Sequence, residues 1–176
     1  MRVLLLLYGL PCSGKTTVAS RLVHHYDFVY LDIESIWHST FGQPDFTETQ
    51  SAAVFETLIQ AIRDAAALNK NILLEGVFAS PDRLSTLSQV CRNEGLAFVA
   101  VLLQVDWAVL RKRMRSRAAA GGRLTIERVK WLSAKFSTDQ LSSLTIDTTN
   151  TEPRLVFNRI VHFLSHNLSL SLPPKT

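Results

Sequence analysis

Apolar runs alternate with amphipathic stretches along the whole chain. Residues 3–8 form a continuous apolar run that ends at a glycine, which is typical of a central parallel strand buried on both faces. Shorter apolar runs predict four further strands, at 28–31, 71–74, 97–103 and 144–146. Periodic segments between them predict helices at 15–26, 33–40, 47–68, from about 80, 106–119, 125–136 and 152–166. The alternation predicts an α/β fold of three layers, with a five-stranded parallel sheet that binds ligands at the carboxyl ends of its strands.

The length of the chain, 176 residues, is enough for one hydrophobic core. We therefore expect a single domain over residues 1–167 and a flexible tail over 168–176. The first ten residues have the basic start and apolar run of a short signal peptide, but no small-residue cleavage site follows, so they are predicted to be the first strand. No apolar run approaches the roughly 18 residues that span a bilayer. Cys12 and Cys91 form no CxxC pair, which favours a reducing cytoplasm.

The segment between the first strand and the first helix matches G-x-x-x-x-G-K-[ST]. Such a glycine-rich loop wraps a phosphate with its backbone N–H groups, while the positive end of the following helix faces the same anion. Lys15 is expected to reach the β- and γ-phosphates, and Thr16 to supply a hydroxyl to Mg²⁺. The pattern predicts a nucleoside triphosphate site at Gly9, Leu10, Pro11, Cys12, Ser13, Gly14, Lys15, Thr16 and Thr17.

Basic residues are concentrated between residues 111 and 135. Nine lysines and arginines there face a single acid, Glu127. The stretch has a charge of +8, so the rest of the chain is −4 against the total of +4. Such a local concentration of cations favours one anionic ligand at one place over a surface spread along a nucleic acid, and phosphate is the obvious anion.

With these motifs in this order, the chain resembles the P-loop kinases over about residues 2–165, specifically the group of zeta-toxin-like, chloramphenicol-phosphotransferase-like and polynucleotide 5′-hydroxyl kinases. The motifs are the phosphate loop, an acidic Asp32-Ile33-Glu34 segment, Glu75-Gly76, and Arg113 with Arg117. The resemblance implies ATP and Mg²⁺, a strand order of 2-3-1-4-5, and a helical lid over about 106–136. Gly121-Gly122 is a hinge for that lid or an ordinary loop.

The resemblance also implies a carboxylate that takes the proton of an acceptor hydroxyl. The acceptor-activating Asp of the group aligns with Glu34, and Asp32 is the nearby alternative; a helix-capping Asp32 and a solvated Glu34 would be the structural explanation. Glu75 corresponds to an acid beside the Mg²⁺ or the acceptor, unless it serves as a hydrogen-bond partner that tethers a loop. Arg83 is a weaker candidate on the acceptor side.

One position departs from the group's pattern. The arginine that often holds a phosphate on the acceptor is replaced by Trp37. Trp37 and Phe41 then either offer a flat apolar wall to an uncharged acceptor or belong to the core.

Helical geometry separates the arginines of the segment 106–119. At 100° per residue, Arg113 and Arg117 fall at the edge of the apolar stripe of Trp107, Leu110 and Met114, whereas Arg111 and Arg115 do not. In relatives, lid arginines stabilise charge on the transferring phosphoryl group, which suits a planar guanidinium. Arg113 is also expected to contact the nucleotide. Thr148 and Thr149 lie in the loop that borders the adenine base in relatives.

Three function classes remain open from the sequence. The first is a kinase that moves the γ-phosphate of ATP to a hydroxyl of a small molecule or of a polynucleotide 5′ end. The second is a regulatory NTPase that reports its nucleotide state to a protein partner. The third is a nucleic-acid-binding module that uses the basic stretch, which we expect only in so far as a polynucleotide is the acceptor.

Overall fold

Five parallel strands form one sheet in the computed structural model, which describes residues 1–42, 45–78, 80–119, 124–136, 142–167 and 175. The strands are β1 (Arg2–Tyr8), β2 (Phe28–Asp32), β3 (Asn71–Gly76), β4 (Leu96–Gln104) and β5 (Leu144–Asp147). Their order is β2-β3-β1-β4-β5, and each neighbouring pair is parallel. The predicted fold class and strand order are confirmed.

Helices connect the strands as the sequence pattern predicts. They are α1 (Lys15–His25), α2 (Ile33–Phe41), α3 (Glu48–Ala67), α4 (Pro81–Asn93), α5 (Trp107–Ala119), α6 (Ile126–Lys135) and α7 (Pro153–Asn167). The boundaries differ from the predicted ones by one or two residues. The difference matters at β3, which continues past Leu74 because Glu75 pairs with Leu7 of β1.

The core lies on both faces of the sheet, because β1 is buried on both sides. Helices α3 and α4 cover one face, and α1 and α7 cover the other. A third, small apolar cluster joins α5 to α6 through Leu110, Met114 and Val129, and it packs against Leu10 and Cys12 of the phosphate loop. The α5–α6 pair is thereby anchored over the carboxyl ends of the strands, where the sequence predicts the ligand.

Some predicted features fall on residues that the structure does not describe. The Gly121-Gly122 hinge and the tail lie outside the described residues, apart from Lys175, whose backbone N–H donates to the carbonyl of His25 (3.0 Å). None of the described helices is both long enough and apolar enough to cross a membrane.

Candidate functional site: the phosphate loop and the carboxylates around it

The loop after β1 bends around two glycines. Gly9 has a φ of 148° and Gly14 a φ of 96°, values that residues with a side chain rarely adopt. At Gly9, an added Cβ would also lie 2.3 Å from the carbonyl oxygen of Leu103, so space alone excludes a side chain. Gly14 is the N-cap of α1 and has no side chain with which to cap it. The first N–H groups of α1 are therefore free of a side-chain cap at the positive end of the helix, as an anion site requires.

Lys15 is the buried cation of the loop. Its side chain is 7% exposed, and its Nζ donates to the carbonyl oxygens of Gly9 (3.1 Å) and Leu10 (3.0 Å). Burial lowers the pKa of Lys15 to about 8, although the nearby carboxylates of Glu75 and Glu34 act to raise it. Among the described residues no carboxylate lies within ion-pair distance of Nζ. The site therefore holds an ammonium whose charge is stabilised by carbonyl dipoles, and an added anion would stabilise it much further.

Glu75 is the buried acid of the site. It is 5% exposed at the carboxyl end of β3, and each of its two oxygens accepts one hydroxyl hydrogen bond. Thr16 donates to Oε1, and Tyr30 of β2 donates to Oε2 at 2.5 Å. The two residues predicted as the metal site, Thr16 and Glu75, are thus brought into direct contact. The sequence analysis missed Tyr30, because its contact depends on which strand lies beside β3.

A buried hydroxyl in the loop has no partner. Ser13 Oγ is inaccessible to solvent and makes no hydrogen bond within the described part of the chain. Buried polar atoms are normally hydrogen-bonded, so an orphan of this kind fits an oxygen-rich ligand. The loop therefore fits a triphosphate in three respects: the unpaired Ser13 hydroxyl, the absence of a side chain at Gly9, and the ammonium of Lys15. Thr16 and Glu75 likewise offer the hard oxygens that Mg²⁺ prefers, and Mg²⁺ needs only one or two of them beside phosphate oxygens and water.

Arg113 faces inward from α5, as predicted, and ties the loop to the opposite wall of the site. Its guanidinium donates to the carbonyl oxygens of Cys12 (3.3 Å) and Thr148 (2.6 Å). Thr148 is 3% exposed, and its hydroxyl lies 2.9 Å from the carbonyl oxygens of Ser13 and Gln104. The predicted nucleotide residues Arg113 and Thr148 therefore lie against the phosphate loop, where they hold backbone segments in register.

The second predicted threonine lies at the rim of a cleft. Thr149 Oγ1 accepts from the backbone N–H of Asp106 (2.8 Å). The cleft has a volume of about 390 Å³ and lies between Leu10, Thr149 and Phe136, the residue after α6. A larger groove of about 580 Å³, between β5 and α7, lies away from the loop and holds none of the predicted site residues. Chemistry and position favour the smaller cleft as part of the site.

The predicted separation of the arginines along α5 is present only in part. Leu110 and Met114 are buried, and Arg111 and Arg115 are exposed. Arg117 is exposed as well, but its charge is close enough to Lys15 to contribute to the lowering of the pKa of Lys15. Arg117 therefore lies on the exposed surface of α5, and the inward position predicted for both arginines is found for Arg113 alone.

Asp32 and Glu34, the two candidates for the base, have different surroundings. Asp32 is the N-cap of α2 and accepts hydrogen bonds from the backbone N–H groups of Glu34 (3.0 Å) and Ser35 (3.2 Å) and from Ser35 Oγ (2.7 Å). Glu34 is exposed, and its charge acts on both Lys15 and Tyr30. The structure thus has the helix-capping Asp32 and the exposed Glu34 of the structural explanation, and Glu34 is the candidate whose carboxylate accepts no hydrogen bond within the described residues.

Aromatic side chains extend from α2 toward α6. Trp37 and Phe41 are half-buried, with ring centroids 6.1 Å apart, and Phe46 lies 5.0 Å from Trp37. The guanidinium carbon of Arg128 on α6 lies 4.5 Å from the ring centroids of both Phe46 and Trp131. These are cation–π contacts that connect the predicted lid to the predicted acceptor side.

Sequence reasoning had no signal for this contact, because it depends on where α6 packs. Arg83, the weaker acceptor candidate, lies elsewhere on that side. It pairs with Glu48 of α3 (3.4 Å), and its guanidinium lies over the ring of Phe55.

The described residues contain no group of three or more His, Cys, Asp or Glu side chains that could hold a metal ion. Any metal at the site would therefore depend on Thr16, Glu75 and oxygens of the ligand. Mg²⁺ that binds together with a nucleotide needs only one or two protein oxygens beside phosphate and water.

Comparison with known proteins identifies the same kind of scaffold. An adenylate kinase from Nitrobacter winogradskyi is 28% identical over 127 residues, which cover 65% of this chain and 62% of that protein. A sugar kinase from Janibacter sp. HTCC2649 superposes with a TM-score of 0.73 at 16% identity, covering 94% of this chain and 95% of that one. The APS kinase of Mycobacterium tuberculosis, in complex with AMPPNP and APS, has a TM-score of 0.72 at 15% identity, covering 93% and 98%.

The two superpositions show that the fold is that of small P-loop kinases. A family model described as AAA domain matches residues 4–138, which include the phosphate loop, Glu34, Glu75, Arg113 and Arg117. Since this match extends over well more than half of the sequence, the chain belongs to the AAA domain family.

Proposed function

We propose that the protein is an ATP-dependent phosphotransferase that moves the γ-phosphate to a hydroxyl of a small molecule or of a polynucleotide 5′ end. The observation that carries the proposal is the placement of Glu34. It is a carboxylate with free oxygens, close enough to the phosphate-loop Lys15 to act on its pKa. A nucleotide-binding scaffold needs no such group, whereas transfer to a hydroxyl does, because the acceptor must lose a proton as it attacks.

The donor half of the site is formed by the phosphate loop. Lys15 would bind the β- and γ-phosphates, and the backbone N–H groups between Gly9 and Thr17, except at Pro11, which has none, would wrap them. Thr16 and Glu75 would hold Mg²⁺, which neutralises phosphate charge when it is bound. Arg117 would approach the transferring group from α5. Two free cysteines, Cys12 and Cys91, fit a reducing cytoplasm as the place where this reaction occurs.

The acceptor half lies along α2. Glu34, Trp37 and Phe41 are spaced three and four residues apart, so they share one face of that helix. Trp37 stands where related kinases carry a phosphate-binding arginine, so the acceptor is proposed to lack a phosphate at that position. We propose that the chain is a member of the zeta-toxin, chloramphenicol phosphotransferase and polynucleotide kinase group. In that case Glu34 corresponds to the acceptor-activating Asp of the group.

A screen of ATP consumption tests the proposal. The purified protein is incubated with Mg²⁺ and ATP and with hydroxyl-bearing metabolites, antibiotics or 5′-hydroxyl oligonucleotides in turn. At least one acceptor is expected to raise ADP formation above the rate with water alone and to gain a phosphate. A regulatory NTPase would show slow turnover that no acceptor changes. That result, together with tight nucleotide binding, would contradict the proposal.

The Glu34→Gln variant is expected to lose about 10²-fold in acceptor-dependent turnover, because general-base catalysis contributes roughly 10²–10⁴-fold. Binding of AMPPNP should not weaken, because the change removes a negative charge near Lys15 and so does not oppose a bound anion. The matched control is Glu56→Gln, which removes an exposed acid from α3. Asp32→Asn should instead weaken the cap of α2. If Glu34→Gln and Glu56→Gln turned over acceptor equally fast, Glu34 would not be the base.

Nucleotide affinity is expected to fall as the pH rises above about 8. In the free protein, burial lowers the pKa of Lys15 to about 8 from its ordinary value near 10.4. Bound phosphates favour the ammonium, so binding above pH 8 requires proton uptake, while binding below pH 8 does not. Isothermal titration with AMPPNP should therefore show about tenfold weaker binding at pH 9 than at pH 7. A Lys15→Met variant should bind weakly with no such pH dependence; a wild-type affinity that is flat over this range would refute the assignment.

A further inference from the structure

The buried carboxylate of Glu75 is held from two sides. Thr16 reaches it from α1 in the phosphate loop, and Tyr30 reaches it from β2, the strand at the edge of the sheet. Each hydroxyl uses a different oxygen of the carboxylate. A carboxylate with one contact can rotate about its last bond, whereas a carboxylate held at both oxygens has a single orientation. The orientation of Glu75 is therefore set by a pair of residues, of which only Thr16 belongs to the phosphate loop.

The register of the sheet explains how Tyr30 reaches this position. β2 and β3 are parallel, with Asp32 opposite Glu75 and Tyr30 opposite Leu73. Because side chains alternate along a strand, Tyr30 lies on the same face of the sheet as Leu73 and Glu75. Glu75 is two residues further along its strand than the residue opposite Tyr30. A long side chain is needed to span that diagonal, and a phenol both spans it and ends in a donor.

We propose that Tyr30 is a positioning residue for the Mg²⁺ site: its hydrogen bond fixes Glu75 so that Thr16 donates to the carboxylate and presents its oxygen to the metal. The inference rests on the proposed function, because it requires a nucleotide-bound metal at Thr16. It assigns to the edge strand a role in ordering the donor half of the site. Partners that orient metal ligands in this way typically change metal affinity by 10- to 100-fold when they are removed.

The state of the phenol supports this role. A carboxylate accepts hydrogen bonds, so the phenol is the donor in the 2.5 Å contact between the Tyr30 hydroxyl and Glu75 Oε2. Tyr30 is 39% exposed, and removal of its hydroxyl leaves the ring in place while Glu75 Oε2 loses this donor.

Tyr30→Phe removes the hydroxyl and keeps the ring. Mn²⁺ is used in place of Mg²⁺, and its binding to the protein with AMPPNP is followed by electron paramagnetic resonance. Mn²⁺ affinity is expected to fall roughly tenfold, while the affinity for AMPPNP in EDTA stays unchanged. The matched control is Tyr26→Phe, because the hydroxyl of Tyr26 makes no hydrogen bond within the described residues and its ring stacks on Phe157. Urea unfolding of both variants separates a loss of metal affinity from a loss of stability.

A double-mutant cycle with Glu75→Gln tests whether Tyr30 acts through Glu75. If it does, Tyr30→Phe should change Mn²⁺ affinity little in the Glu75→Gln background, because the group being positioned is gone. Equal Mn²⁺ affinity of wild type, Tyr30→Phe and Tyr26→Phe would overturn the inference, and so would additive effects in the cycle. A different result, no nucleotide-dependent Mn²⁺ binding in the wild type, would refute the proposed function itself.

Discussion

Replacing Lys15 by methionine is expected to lower kcat/KM for ATP on the order of 10³-fold, within the range that single charged groups contribute to phosphoryl transfer and oxyanion stabilisation. Lys15 is the one cation that the phosphate loop buries, and in the free protein its Nζ contacts only the carbonyl oxygens of Gly9 and Leu10 among the described residues. Methionine fills the same channel without the charge. The measurement is steady-state ADP formation with the best acceptor, combined with titration of AMPPNP.

The fold should tolerate this change. Since burial lowers the pKa of Lys15 to about 8, the folded protein binds that proton less tightly than the unfolded chain does. The charge of Lys15 therefore costs stability at neutral pH, and the cost disappears as the pH rises from about 8 toward the unfolded pKa near 10.4. Lys15→Met is accordingly expected to unfold at the same urea concentration as wild type or a higher one at pH 7.

The control for Lys15→Met is Lys112→Met on the exposed side of α5. It changes the net charge equally and should leave kcat/KM unchanged. If both variants lost activity in parallel, the effect would come from the basic stretch as a whole, and the assignment of Lys15 to the phosphates would be wrong.

The parts of the fold that the sequence predicted are those with a dense local signal. Residues 3–8 are apolar at every position, as is typical of a central strand covered on both faces, and this is where β1 lies. The glycines of the loop predict its position equally well, because the φ angles of Gly9 and Gly14 are open to few other residues. These signals are contained within a few consecutive residues.

The network around Glu75 was only half predictable. The phosphate-loop motif indicates Thr16. The position of Glu75 at the carboxyl end of a strand indicates an acid on the side of the sheet where ligands bind. No sequence pattern indicates Tyr30. Its contact with Glu75 arises because β2 pairs with β3 so that Tyr30 lies opposite Leu73, two residues before Glu75. A tyrosine in a predicted strand is ordinary, and only the register gives it a role.

The choice between Asp32 and Glu34 was open in the sequence for a related reason. Both carboxylates follow β2, and either could face the acceptor. The backbone of Asp32 is extended, so its side chain turns back onto the N–H groups of α2 and caps the helix, with Ser35 as a third donor. The cap at Asp32 and the exposed Glu34 are the structural alternative that the sequence left open, and the Ser35 contact adds to the cap.

The contact of α6 with the acceptor side lay beyond the sequence altogether. Arg128 belongs to the basic stretch and is indistinguishable there from the solvated lysines and arginines around it. Its position between Phe46 and Trp131 depends on how the predicted lid packs on the connection between α2 and α3. No local pattern encodes that packing.

Arg117→Ala is expected to lower kcat for acceptor-dependent transfer about 10³-fold, the lower end of what an arginine that contacts the transferring phosphoryl group contributes. KM for ATP should change little. The reason is that Arg117 is exposed and close to Lys15, so it is free to follow the charge that develops on the phosphoryl group. Arg113, one turn earlier, already donates to the carbonyl oxygens of Cys12 and Thr148 and is held in place.

Three comparisons make the test of Arg117 specific. Arg111→Ala removes an equally exposed arginine from the other side of α5, and its kcat should stay within about twofold of wild type, as surface changes away from a site usually do. Arg117→Lys keeps the charge but loses the planar fork that binds two oxygens at once, so it should recover only part of the rate. Arg113→Ala, in contrast, should lower stability in urea together with activity, because it removes the hydrogen bonds that connect Cys12 of the phosphate loop to Thr148. Equal rates for Arg117→Ala and Arg111→Ala would show that α5 contributes a basic surface rather than a residue that acts on the phosphoryl group.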